Sequence, residues 1–274
     1  MSAQLGATGL RRRDLLAGAS AATSVAALSP GPTSALPRDV DYAIQRLVGG
    51  VSSRPGLVQL EVPTHSDTGT SVPMTVGMPD APAGPDMPRA IHVLVDGNPR
   101  PNVVSAWFAP DCGRAALSTR IRLESAQVVT AIAQMPDGQV WRADQEVTVN
   151  FGACANVGTG TDSEIRDFKP VSRVVVPRSA RLGEVIAIRT LISHPMETGL
   201  RLNQFNTWIP LRIVEEFTCS FDGQEIIRIR PYPAIATNPY FAFHDRVRGR
   251  GMYEFRWFDT DGSVYANSAT IDLA

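Results

Sequence analysis

The chain has 274 residues, 43% of them hydrophobic and 19% charged, with a formal net charge of −1. This is a globular composition, long enough for two domains of ordinary size. Lys169 is the sole lysine and basic residues are not clustered, which excludes a nucleic-acid footprint, and no stretch reaches confident membrane-spanning length.

Residues 1–35 read as an export signal. Arg11, Arg12 and Arg13 precede a mild apolar run from Leu15 to Leu28, and Thr33-Ser34-Ala35 ends in a small residue fit for cleavage. An arginine pair before a weakly apolar run predicts twin-arginine export, hence a periplasmic location. Cleavage removes three Arg and one Asp, taking the net charge from −1 to −3.

Asp39–Val48 then places Val40, Ala43, Ile44, Leu47 and Val48 at helical spacing, stopped by Gly49-Gly50. From Leu57 the period changes to two. Strands are expected over 57–62, 72–78, 90–95, 103–108, 117–123, 127–134 and 145–151. In the last, Val147, Val149 and Phe151 share one face and Glu146, Thr148 and Asn150 the other. Residues 152–169 are small, polar and glycine-bearing, and read as a boundary.

Strands resume over 171–177, 184–192, 213–221, 224–230, 240–247, 252–259 and 263–272. Ile213, Phe217, Cys219 and Phe221 are expected on one face, with Val214, Glu216, Thr218 and Ser220 opposite. Asp-Gly pairs at 96–97, 137–138, 222–223 and 261–262 fall where type I′ hairpin turns belong. Many short strands separated by turn signals predict an all-β chain: two Ig-like β-sandwich domains with one short helix after the signal.

The three cysteines differ in setting. Cys219, between Phe217 and Phe221 on an apolar strand face, reads as a small core hydrophobe. Cys112, in Ala109-Pro110-Asp111-Cys112-Gly113-Arg114, is open to several readings: an exposed thiol favoured by Arg114, an incidental residue, or a disulfide partner for Cys154. Cys154 directly follows a strand and is flanked by Gly152, Ala153, Ala155 and Asn156. Small neighbours leave the thiol unshielded and the backbone free to bend, which suits a thiol that must enter other proteins' pockets. His194 and Glu197 invite a metal or acid–base reading, but Pro195 favours a loop and a structural or docking role. His65, His92 and His244 are scattered singly. No nucleotide loop or zinc spacing is present, so neither cofactor nor metal is expected.

The second half resembles SoxZ over nearly its whole length. The match is carried by Gly183-Glu184-Val185-Ile186, Thr190 to Gly199 (TLISHPMETG), Phe217-Thr218-Cys219, Pro233-Ala234-Ile235-Ala236, Asn238-Pro239-Tyr240, and Phe255 with Trp257 before Asp261-Gly262. The first half resembles SoxY more loosely, through the helix ending in Gly49-Gly50, Val72-Pro73-Met74-Thr75-Val76, Asn98-Pro99 and Ser118-Thr119-Arg120-Ile121. The resemblance to the SoxYZ sulfur carriers implies a SoxY-like sandwich with a cysteine arm over 36–154, a linker over 155–169 and a SoxZ-like sandwich over 170–274. It implies that the two halves pair within the chain as a SoxY–SoxZ heterodimer would.

It further implies a carrier, not an enzyme. The family's Gly-Gly-Cys-Gly-Gly arm holds thiosulfate-derived sulfur while a cytochrome, a hydrolase and a sulfur dehydrogenase act on it. Here the aligned segment is Gly152-Ala153-Cys154-Ala155-Asn156: the cysteine and one glycine are kept, and the arm continues into the second half instead of ending. Alanine lacks glycine's left-handed freedom, so a stiffer arm is expected. Two other functions are compatible with these features. One is service beside a quinoprotein dehydrogenase; the other is an interaction module in which Cys154 is silent.

Overall fold

The computed structural model describes residues 39–78, 84, 86–152, 168–203 and 205–274. Residues 1–35, expected to be an export signal, lie outside the described residues, as do Ala153, Cys154, Ala155, Asn156 and the expected linker through residue 167. Among the described residues there are one helix, α1 (Asp39–Val48), and seventeen strands. The first half carries β1 (Ser53–Pro55), β2 (Gln59–Glu61), β3 (His65–Thr68), β4 (Val72–Gly77), β5 (Ala90–Val95), β6 (Asn102–Phe108), β7 (Ala116–Ile121), β8 (Gln127–Gln134) and β9 (Val140–Phe151). The second half carries β10 (Ser172–Val175), β11 (Ser179–Ala180), β12 (Val185–Ile192), β13 (Val214–Phe221), β14 (Gln224–Pro231), β15 (Tyr240–Arg246), β16 (Gly251–Asp259) and β17 (Val264–Leu273).

These strands form two layers. One sheet runs β1-β9-β8-β5-β6-β14-β13-β16-β17-β11, with β3 also on β9; the other runs β10-β12-β15-β7-β4-β2. Each half supplies strands to both layers, so each is a sandwich, as the alternation predicts. The halves join edge to edge in both layers. In the larger sheet β6 pairs antiparallel with β14, from Val104↔Pro231 to Phe108↔Ile227. In the smaller, β7 meets β15 at Ser118↔Ala242. Backbone bonds continue the seam from Arg122 N to Ala234 O (2.7 Å) and from Ala236 N to Arg120 O (3.0 Å). Edges that would stand open in isolated sandwiches are thereby closed.

A single core follows from this pairing. Val72, Met74, Leu117 and Ile121 of the first half belong to the same buried cluster as Phe217, Phe241, Phe243 and Trp257 of the second. Pro37–Ala274 is one compact unit. A smaller cluster seats Val40, Ile44 and Val48 of α1 on Leu94, Ile132 and Val140. The helix stops where its sequence predicts, with Gly49 and Gly50 at φ 65° and 81° and Gly50 N bonded to Gln45 O.

Four details depart from the sequence pattern. β9 begins at Val140, five residues earlier than alternation indicates. The helix covers this end of the sheet, so both faces are sheltered and the period-two signal fades. Val214 lies in the core with Phe217 and Cys219, not opposite them, because a β-bulge between Val214 and Glu216 resets the alternation. Of the four Asp-Gly pairs, Asp222-Gly223 alone has both residues at positive φ (46° and 84°), as a type I′ turn requires. At 137–138 and 261–262 the glycine alone is left-handed, and neither residue is at 96–97. Finally, β1 and β3 are short edge additions, both parallel to β9, with no apolar alternation of their own.

Candidate functional site

The strand leading to the cysteine arm is firmly held at its end. Val147 is in the core, Val149 is half-buried, and Phe151 is 66% exposed beyond the sandwich edge. β3 runs beside it, with His65↔Thr148 and Thr68↔Phe151 in register. Gly69 N donates to Phe151 O at 2.7 Å, and Gly69 O accepts from Leu123 N at 2.8 Å. Exposed His65, Asp67 and Asn150 form a small surface cluster here, in which Asn150 Nδ2 donates to Asp67 Oδ1 at 3.2 Å.

Gly152 then crosses directly over the backbone of Glu124, where a Cβ would overlap the Glu124 carbonyl. Its φ is not in the left-handed region. The retained glycine therefore serves close approach at this position, not the conformational freedom expected of an arm hinge. Asn98 braces the support beneath it. Asn98 Oδ1 accepts from Glu124 N and from Gln127 Nε2, each at 2.9 Å, and Asn98 Nδ2 donates to Arg122 O at 2.9 Å.

The chain re-enters the described structure at Phe168, whose ring stands edge-on to His194 with centroids 6.0 Å apart. Val171 and Ser193 then exchange backbone and hydroxyl hydrogen bonds. His194 is fully buried. Its Nδ1 accepts from Met196 N at 3.1 Å, which leaves Nε2–H to donate to Asp259 Oδ2 at 3.0 Å. Burial raises the Asp259 carboxyl pKa, but the hydrogen bond from His194, with the backbone N–H of Asp261 and the charge of Arg212, outweighs it and holds the group below its usual value. Glu197 is also buried and accepts from Arg201 Nε at 2.7 Å. Both residues are consumed by internal pairing, in keeping with a structural role. Among the described residues no group of three or more His, Cys, Asp or Glu is arranged to hold a metal.

Arg122 connects the two tether points. It is 3% exposed, and its guanidinium donates to Met196 O (2.7 Å), Pro233 O (3.3 Å) and Pro195 O (3.4 Å). The support of Gly152 and the loop of His194 thus share one residue of the seam. Sequence reasoning missed Arg122; its position after the Ser118–Ile121 segment was the available signal.

The remaining thiols are removed from chemistry by burial. Cys112 is fully buried, contacts the carbonyl of Arg114, and desolvation pushes its pKa up to about 12. This corrects the reading of Cys112 as an exposed thiol favoured by the Arg114 guanidinium. Cys219 lies among aromatic rings with its pKa raised well above the usual thiol value by burial. Both are free. His92 is buried as well, bonded to Ser105 (2.7 Å) and Gln134 (3.2 Å), with its pKa lowered by desolvation.

Fold and site together define an all-β chain of two fused sandwiches, with one cysteine segment strung between anchored tether points. Residues 44–154 match the family model of the sulfur oxidation protein SoxY, and residues 174–270 match that of the sulphur oxidation protein SoxZ. The chain is a SoxY–SoxZ fusion and belongs to these sulfur-oxidation families. No curated protein matches it. Among solved structures, the sulfur carrier protein SoxY from Chlorobium limicola f thiosulfatophilum is 24% identical, with a TM-score of 0.35 over 40% of this chain and 94% of that one. A superoxide reductase (neelaredoxin) from Ignicoccus hospitalis is 19% identical, with a TM-score of 0.32 over 34% of this chain and 80% of that one. Fibronectin(III)-like modules of Clostridium thermocellum CbhA are 15% identical, with a TM-score of 0.26 over 79% and 93%.

Proposed function

We propose that this protein is a periplasmic carrier of sulfur compounds, exported by its twin-arginine segment, with the cargo bound covalently to Cys154. The observation that carries the reading is that the SoxY match runs through to Cys154 and is followed in the same chain by the SoxZ match. The burial of Cys112 and Cys219 supports it, since a buried thiol with a raised pKa is a poor nucleophile.

In the loading step the Cys154 sulfur bonds to the outer sulfur of thiosulfate. R–SH and S2O3²⁻ give R–S–S–SO3⁻, one proton and two electrons, and a partner cytochrome accepts the electrons. A hydrolase and a sulfur dehydrogenase then process the bound cargo. The protein is their substrate and contributes no catalysis of its own.

Mass spectrometry of the protein after incubation with thiosulfate and the oxidising cytochrome tests this. An adduct on the Cys154 peptide, absent from Cys154→Ser, is expected. No sulfur-containing adduct at any redox poise counts decisively against the reading.

A further inference from the structure

Arginines scattered along the chain are gathered by strand pairing onto the outer face of the smaller sheet. Alternate residues of its six strands turn away from the core, and the register fixes where they fall. Arg173 stands beside Leu191, and Val175 beside Arg189, all four exposed. Leu191 stands beside Tyr240 in turn, and the antiparallel pair Ser118↔Ala242 sets exposed Arg120 next in that row. One end of the face thus carries three arginines around two aliphatic side chains. At the other end Val185 pairs with Arg246, and exposed Arg114 lies close to His244, whose pKa is lowered by burial and then by the Arg114 charge. Ala187, Ala242, Ser118 and Ala116 form a floor of small residues between the ends.

Little on the strands offsets this charge. Among the described outward-facing residues of the six strands the one carboxylate is Glu61, on the far edge strand β2. Asp245 of β15 points inward, where it accepts from the Tyr253 hydroxyl (2.8 Å) and from Arg248 (3.0 Å). Asp111 also pairs with Arg248, and Glu184 accepts from Arg181 N. Arg114, Arg120, Arg173 and Arg189 have no carboxylate partner among the described residues, and Arg246 donates to Gly183 O at 3.0 Å. The whole chain carries a net charge of −1, so this face is a segregation of charge and not its average. Both halves contribute to it, and it exists only because β7 meets β15.

Geometry selects the kind of partner. Five strand spacings of about 4.8 Å and six residues of about 3.3 Å give a face of roughly 24 by 20 Å. That is on the order of the footprint of a transient protein contact. The two arginine groups lie at opposite ends of it, too far apart for one small anion to bridge. Among the described residues of these strands no exposed aromatic side chain is available to enter a bilayer interface. Guanidinium forks pair bidentately with carboxylates, and aliphatic contacts ringed by arginine without lysine match the composition of protein interfaces.

We infer that the outer face of the smaller sheet docks an acidic protein surface. Carboxylates of that partner meet Arg120, Arg173 and Arg189 at one end and Arg114 and Arg246 at the other. Leu191 and Val175 supply the apolar contact, and the arginines steer the approach. The inference goes beyond the carrier reading and does not depend on it.

The test titrates the full chain into fluorescein-labelled poly-L-glutamate and reads anisotropy. Arg173→Ser/Arg189→Ser and Arg114→Ser/Arg120→Ser each remove charge from this face. Arg54→Ser/Arg256→Ser removes the same charge from exposed positions on the larger sheet. Each face variant is expected to weaken binding about tenfold or more, and the control less than about twofold, with melting temperatures unchanged. Wild-type affinity should fall as ionic strength rises from about 0.02 to 0.3 M. Absence of wild-type binding overturns the inference, as does an equal loss in the control, which makes net charge alone responsible. Phosphatidylglycerol vesicles bound as tightly as polyglutamate, with the same dependence on Arg173 and Arg189, assign the face to a lipid surface and overturn the protein partner. Inorganic sulfate that displaces polyglutamate at equal concentration of charge assigns it to a small anion and does the same. Cys154 plays no part in this readout, so either result leaves the carrier reading untouched.

Discussion

Replacing Arg122 by Met removes the charge that stitches the two halves beneath the arm, at nearly constant volume. The guanidinium is 3% exposed and serves three carbonyls, those of Met196, Pro233 and Pro195. Each buried acceptor left without a donor costs about 1 kcal/mol or more, so the substitution destabilises by roughly 3–5 kcal/mol. For a domain of this size each kcal/mol shifts the midpoint by about 2–4 °C, giving a fall of roughly 6–20 °C. Differential scanning calorimetry reads this directly. The shared core also predicts one cooperative transition for Pro37–Ala274, with no separate melting of the halves. Arg122→Lys should fall between wild type and Met, because an ammonium keeps donors but lacks the fork that spans several carbonyls. A midpoint shift below about 3 °C in Arg122→Met, or two resolved wild-type transitions, refutes the reasoning.

Three further outcomes are expected. Asp259→Asn breaks the buried pair with His194 and lowers stability at pH 7 by about 3–5 kcal/mol in urea titrations. Since the folded Asp259 pKa lies below its usual 3.8, its contribution is fully present above that pH and is lost as pH falls through the folded value. Wild type and variant should therefore converge in acid, and a gap that widens below pH 4 would contradict this. Gly152→Ala forces a Cβ into the Glu124 carbonyl and should cost about 1–3 kcal/mol, with faster amide exchange at Leu123 and Glu124. Asn150→Ala, on the exposed neighbour, should leave that exchange unchanged. Iodoacetamide should leave Cys112 and Cys219 unmodified in the native protein and label both in guanidinium chloride; native labelling of Cys112 would show that its burial is not maintained.

Much of this architecture is legible along the chain because local rules govern it. Val40, Ile44 and Val48 recur at helical spacing and do pack as one face, and Gly49-Gly50 does stop the helix. Alternation in Tyr253, Phe255 and Trp257 does mark a strand face, because one side of β16 meets the core and the other meets solvent. The ordered matches in both halves likewise point to SoxY and SoxZ. Where two-sided cover or a bulge intervenes, as at Val140 and Val214, the same rules fail for a local and identifiable reason.

What the chain order does not contain is which edges meet. Nothing in the alternation of β6 or β14 says that Phe108 will lie against Ile227, because strand pairing depends on partners more than a hundred residues away. Nor does spacing reveal that Gly152 is kept for its crossing over Glu124, or that Cys112, in a turn-like segment beside an arginine, is sealed in the core. Element types and the two-part order are readable along the chain, since they follow from periodicity and from residue chemistry. That the halves merge edge to edge in both layers, and that Arg122 binds the support of Gly152 to the His194 loop, is visible in the folded chain alone. Those outcomes belong to long-range edge pairing and burial, which no local window records.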